Sequence, residues 1–162
     1  MLLKDKLKGK SLILASKSPR RRMLLEGCGL DFTVADDYEV EEIYPESLSP
    51  HEVPLYLATL KSEAYPAELG ENDILVTADT VVVLDGEILG KPRDRDDAID
   101  MITRMSGEGH TVITGVVIRS KGRQNGYTVK TDVWFRKLRA EEIEYYVDNF
   151  MPYDKAGAYG IQ

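Results

Sequence analysis

The sequence predicts an α/β fold built on a mixed, extended central sheet flanked by helices. Short apolar runs rich in β-branched residues alternate with stretches whose apolar residues recur at helical spacing. Two hairpin signals, at Asp85-Gly86 and in the polar loop Ser120–Gly126, break any purely parallel arrangement. If the sheet divides into two lobes, the cleft lies between the first half and the hairpin-rich second half. At 162 residues the chain is one ordinary domain, 1–162, without internal repeat, low-complexity tract or linker.

In chain order, Ser11–Ser16 (SLILAS) suits a buried strand. Ser18 then N-caps a helix whose first residue is Pro19, because proline's missing N–H would have no partner there. That helix runs through Met23, Leu24 and Leu25 and stops near Gly27 or Gly29, with Cys28 expected as a small buried residue at its end. Asp31–Ala35 reads as a second strand, followed by an acidic stretch holding Asp36, Asp37, Glu39, Glu41, Glu42 and Glu46. Ser49 and Glu52 form a capping-box pattern ahead of Val53, Leu57, Leu60 and Ala64, which share one helical face. Pro54 conflicts with that start, and Pro66 ends the helix. Asp73–Leu84 is a buried strand, and Glu87–Leu89 returns antiparallel to it. A helix carrying Ala98, Ile102 and Met105 is broken by Gly107 and Gly109. His110–Arg119 and Tyr127–Arg136 are long strands, a last helix carries Ile143, Val147 and Phe150, and Met151–Gln162 is loop-like.

Bulk properties narrow the class of function. A formal net charge of −7 repels a nucleic-acid backbone, yet leaves room for a local basic pocket that holds a small anion. Cys28 is the single cysteine, so no internal disulfide asks for an oxidising compartment. The opening MLLKDKLKGK lacks the apolar core of a signal peptide, and no apolar run approaches the roughly 20 residues of a membrane span. A cytoplasmic protein without membrane or nucleic-acid partners is the expectation.

The residues that carry chemistry begin with Ser16-Lys17-Ser18-Pro19-Arg20-Arg21-Arg22 at a strand-to-helix junction. Free backbone N–H groups and the positive end of the helix dipole favour an anion there, and arginine forks fit phosphate oxygens. Taken alone, the segment serves equally well as a basic surface turn paired with neighbouring acids. Asp79 is next. A carboxylate in so apolar a strand needs a partner, and it suits a general base for water or a ligand for Mg²⁺ or Mn²⁺. The structural alternative is an aspartate that caps a break in the strand. Asp79 and Thr80 point to opposite faces of a regular strand, so both reach one site only at a strand end or bulge. Lys61 on the long helix and Lys91 between Gly90 and Pro92 are point charges for phosphate, or else solvated lysines. Glu41 in the acidic loop is a second metal carboxylate candidate. The chain has neither a P-loop nor a GxGxxG following a strand, and His51 and His110 stand in no zinc-type spacing with Cys28.

Four segments together resemble the Maf (septum formation inhibitor) family: ILASKSPRRRMLL at 13–25, LATLK at 57–61, TADTVVVLDGEILGKP at 77–92 and YDKAGAYGIQ at 153–162. The resemblance implies a fold of the Maf and ITPase type with a cleft between two lobes, in a homodimer. It further implies divalent-metal-dependent hydrolysis of a nucleoside triphosphate to the monophosphate and pyrophosphate, with Mg²⁺ or Mn²⁺ as the metal. The DKAGAYGIQ ending is similar to the branch acting on dTTP and UTP. By motif, Asp79 would be the catalytic base, while Arg20, Thr80 and Gln162 would set substrate choice. Ser16, Ser18, Arg21, Lys61 and Lys91 would line the phosphate path. The metal ligands are not assigned, and Glu41 transfers only to within one residue. Family members continue past GIQ with further strands and a closing helix, so the C-terminal part is expected to be missing here. The rival expectation is a non-catalytic nucleotide-binding regulator of cell division.

Overall fold

The computed structural model describes residues 1–161. In chain order the elements are α1 (Leu3–Lys6), β1 (Ser11–Leu14), α2 (Pro19–Gly27), β2 (Thr33–Val34), α3 (Val53–Glu63) and β3 (Asp73–Leu84), followed by β4 (Glu87–Leu89), α4 (Arg95–Met105), β5 (Gly109–Ser120), β6 (Arg123–Trp134) and α5 (Ala140–Phe150). The strands form one six-stranded mixed sheet in the order β2-β1-β3-β5-β6, with β4 paired to β3 beside that path. β1 is parallel to both β2 and β3, whereas β3 and β4 are antiparallel. The predicted α/β class with a mixed sheet flanked by helices is therefore the observed one. No helix among the described residues is long and apolar enough to cross a membrane.

The chain forms two compact units, and β3, β5 and β6 each contribute residues to both. The first holds Met1–Leu48, Glu52–Asp79 and Gly115–Thr128. Its α3 buries Val53, Pro54, Leu57, Ala58 and Ser62, and Thr77 of β3 donates its hydroxyl to the Ala58 carbonyl at 2.6 Å. Gly115 is what lets the helix approach. A Cβ there would stand 2.3 Å from the Leu55 nitrogen and 2.4 Å from the Pro54 carbonyl carbon, which no side chain can do without moving the backbone.

The second unit holds Ser49–His51, Thr80–Thr114 and the chain from Val129 onward. Its core joins Val82 and Leu84 of β3, Leu89 of β4, Ala98, Met101, Ile102 and Met105 of α4, and Ile143 and Val147 of α5. The helical residues recur at three- and four-residue intervals, so each helix turns one apolar stripe inward. Asp94 caps α4, its side chain accepting the Asp97 N–H.

Several sequence expectations change. Ser120–Gly126 is not a seven-residue loop: β5 runs to Ser120, β6 starts at Arg123, and Lys121-Gly122 alone join them, with Gly122 at φ 75°. Nearly all of β6 is exposed, so it lacks the apolar alternation that marks a strand. Pro54 occupies the second residue of α3, where its missing N–H leaves no intrahelical bond unmade. That helix starts at Val53 behind Glu52 rather than at a Ser49 cap. The second strand shrinks to Thr33–Val34, and Cys28 is exposed rather than buried, since it follows α2, a helix that buries none of its residues. Ala156–Ala158 adds one 3₁₀ turn to the C-terminal segment.

Candidate active site

In the first unit, β1 delivers the chain to α2 at Ser16 and Ser18. Ser16 is buried and its Oγ accepts the Ser18 N–H at 3.2 Å. Ser18 takes the N-cap position in extended geometry without a side-chain cap bond, and Pro19 opens the helix. The three arginines then diverge. Arg21 donates to Ser16 Oγ at 3.3 Å and to the Ala78 carbonyl at 2.9 Å. Arg22 instead pairs with Asp36 at 2.5 Å. Arg20 lies close enough that its charge opposes that of Arg21.

Asp79 is buried, with 7% of its surface exposed. Its partner is Lys61 from the last turn of α3, whose Nζ donates to Asp79 Oδ1 at 2.8 Å. The same Nζ meets Glu42 Oε1 at 2.8 Å. One ammonium thus sits against two carboxylates, of which Asp79 is enclosed and Glu42 half-exposed. Burial pushes the Asp79 carboxyl above the usual range. Lys61 and Arg21 pull it back, while Glu42 adds to the rise. Burial also lowers the Arg21 guanidinium, and Asp79 counters that through its charge. The cluster therefore holds a poised acid among cations in a poorly hydrated setting, the arrangement a general base and an anion-binding group require.

The structure thus brings Ser16, Arg21, Lys61 and Asp79 together, with Ser18 and Arg20 in the same turn. Thr80 and Lys91 belong to the second unit. Thr80 Oγ1 shares a hydrogen bond with Thr114 Oγ1 at 2.9 Å, and Lys91 is exposed, next to a Gly90 carbonyl that accepts the Gly157 N–H at 3.0 Å. Gln162 lies outside the described residues. A cavity of about 440 Å³ in the second unit, lined by His51, Asp85, Thr111, Asp132 and Trp134 among others, contains none of these residues.

Sequence reasoning named Glu41 to within one residue either way, and the structure sets Glu42 against Lys61. Glu41 is exposed, and its carbonyl accepts the Ile43 N–H at 2.9 Å in a tight turn. Six acids in a loop without regular structure look alike in sequence. Only the position of Lys61 distinguishes the one that reaches the cluster. Among the described residues no group of three His, Cys, Asp or Glu could hold a metal. Glu42 and Asp79 nevertheless offer hard carboxylate oxygens around one cationic point. That fits a divalent ion such as Mg²⁺, which keeps several waters and takes its other ligands from phosphate.

The family pattern described as Maf-like protein matches residues 11–162. The chain belongs to the Maf family. Maf relatives extend the likeness across almost the whole sequence. The dTTP/UTP pyrophosphatase of Parabacteroides distasonis is 46% identical over 158 residues, covering 98% of this chain and 82% of that protein. The dTTP/UTP pyrophosphatase of Porphyromonas gingivalis is 45% identical over 160 residues, covering 98% and 80% respectively. Among solved structures, a nucleoside-triphosphatase (dITP/XTP pyrophosphatase) from Mycobacterium abscessus gives a TM-score of 0.45 at 13% identity, over 75% of this chain and 72% of its own. The family assignment rests on the sequence relatives.

Proposed function

We propose that this Maf protein is a nucleoside triphosphate pyrophosphatase that hydrolyses dTTP and UTP to the monophosphate and pyrophosphate. The observation that carries the reading is the enclosed Asp79 carboxylate held at 2.8 Å by Lys61 beside Arg21. The relatives called dTTP/UTP pyrophosphatase supply the substrate class.

Asp79 orients a water and takes its proton as the water attacks the α-phosphorus. Enclosure makes this carboxylate a stronger base than one in open water, and Lys61 keeps it ionised and aimed. Ser16, Ser18 and Arg21 receive phosphate oxygens at the start of α2, where main-chain N–H groups and the helix dipole add to the arginine charge. Lys61 serves the phosphate side of the same cluster. Lys91, in the second unit, is assigned to phosphate by motif. Thr80 and Gln162, with Arg20, are likewise assigned to the choice of base. A Mg²⁺ or Mn²⁺ ion held by Glu42 and Asp79 would supply neutralisation of phosphate charge. A homodimer and a cytoplasmic setting belong to the same proposal.

The test is pyrophosphate release from dTTP, UTP and a panel of other nucleotides with Mg²⁺ or Mn²⁺. Release from dTTP and UTP is the expected result. Nucleotide binding without product would overturn the enzyme reading in favour of a regulator. Asp79→Asn preserves the shape of the side chain and removes the base, so turnover should fall roughly 10²–10⁴-fold while nucleotide binding persists.

A further inference from the structure

Between Val34 and Val53 the chain forms no helix or strand, yet Glu42 must be presented from this loop to Lys61. The ties elsewhere in the loop are ion pairs with water access: Lys17 to Glu39 at 3.2 Å, with side chains 61% and 90% exposed, and Arg22 to Asp36. Such pairs hold a loop weakly. Tyr38 is different. It is half-buried, its ring stands edge-on to Tyr65 at 5.9 Å between centroids, and its hydroxyl donates to the Lys61 carbonyl at 2.9 Å. Lys61 is in the last turn of α3, where carbonyls lack intrahelical donors. The next carbonyl, of Ser62, takes the Tyr65 N–H and an Arg119 guanidinium donor at 2.7 Å. One loop therefore grips one residue at both ends: Tyr38 holds the main chain of Lys61 and Glu42 holds its ammonium.

We propose that Tyr38 is a positioning residue whose hydroxyl, by fixing the loop on the Lys61 carbonyl, sets Glu42 and Lys61 in register beside Asp79. Its effect on turnover rests on the pyrophosphatase reading; its effect on the loop does not. Tyr38→Phe keeps the ring contact and removes only the hydroxyl. Turnover of dTTP should fall about five- to tenfold, the scale of one hydrogen bond, with KM unchanged and only a small drop in the unfolding midpoint. In a double-mutant cycle with Glu42→Gln, the double variant should lose less than the product of the two single losses, because Tyr38 acts in part through the Glu42 carboxylate. Amide hydrogen exchange of residues 37–43 should quicken in Tyr38→Phe. Additive losses in the cycle, or unchanged exchange in this segment, would overturn the proposal. If the wild-type protein releases no pyrophosphate, the function proposed above fails by itself. The exchange measurement then decides the role of Tyr38: faster exchange sustains the clasp and unchanged exchange refutes it.

Discussion

The two units differ in what they bury. The first encloses Ser16, Ser62, Thr77 and Asp79 along with apolar residues such as Leu14, Leu57 and Leu75. The second packs an aliphatic cluster centred on Met105, Ile102 and Val147, and among its described residues His110 is the buried polar one. Its ion pairs, such as Arg95 with Asp148 and Arg136 with Glu142, stand in solvent. Burying a carboxylate costs desolvation that its ion pair need not repay, and an aliphatic core carries no such cost. The first unit therefore gives up stability to hold charges in fixed places, while the aliphatic core of the second unit holds none. Substitutions should separate the two, with turnover and its pH dependence following the first unit and unfolding following the second.

After Asp79→Asn, the largest effect should come from Lys61→Met. Lys61 favours the ionised form of Asp79, so without it the carboxyl rises further above its usual value. A base that must be ionised to work then loses activity at a higher pH on acidification. The acid limb of kcat/KM should move upward, and turnover near neutrality should drop about 10²-fold from loss of one charged donor. A pH–rate profile whose acid limb coincides with the wild type would separate Lys61 from Asp79. The contrasting change is Met105→Ala. Met105 is fully buried in the second unit, and its truncation should cost about 2–5 kcal/mol in urea unfolding. Turnover per folded molecule should hold. Loss of turnover without loss of stability would contradict the division of labour.

Much of the scaffold was legible in the sequence, because burial writes a pattern. β3 was read to its observed ends, Asp73 and Leu84, since a run of β-branched residues between polar flanks has one plausible conformation. The Asp85-Gly86 turn followed from residues that accept positive φ, and both adopt it, at 49° and 79°. β6 was half hidden because a strand exposed along its length carries no alternation. In the cluster, Asp79 and Arg21 were legible because each is costly where it stands without a partner. Tyr38 was not, and Glu42 only to within one residue. Their roles depend on how an irregular loop meets the end of α3, and no periodicity encodes that meeting.

A smaller effect tests the second unit from a buried titratable ring. His110 is 4% exposed, and its Nε2 lies 2.6 Å from the Tyr159 hydroxyl. Its Nδ1 is buried and has no hydrogen-bond partner among the described residues. The rings of Phe135 and Tyr159 meet it edge-on, and burial pushes the Tyr159 phenol up to about 12, so that group stays protonated. A charged imidazole would need an acceptor at Nδ1 and water around it. Burial accordingly lowers the His110 pKa below its ordinary value. The sign follows from linkage. As pH falls through the ordinary histidine value, near 6.5, the unfolded chain binds a proton that the folded chain refuses, so stability is lost on acidification and regained above that value. His110→Gln retains an amide that can bond Tyr159 but does not titrate. Between pH 7 and pH 5, roughly spanning that value, it should lose less unfolding free energy than the wild type. The other ionisable groups are common to both proteins and cancel in the difference. Parallel stability–pH curves would mean that His110 is protonated as readily in the fold as in the open chain, and the second unit would then tolerate a buried charge as the first does.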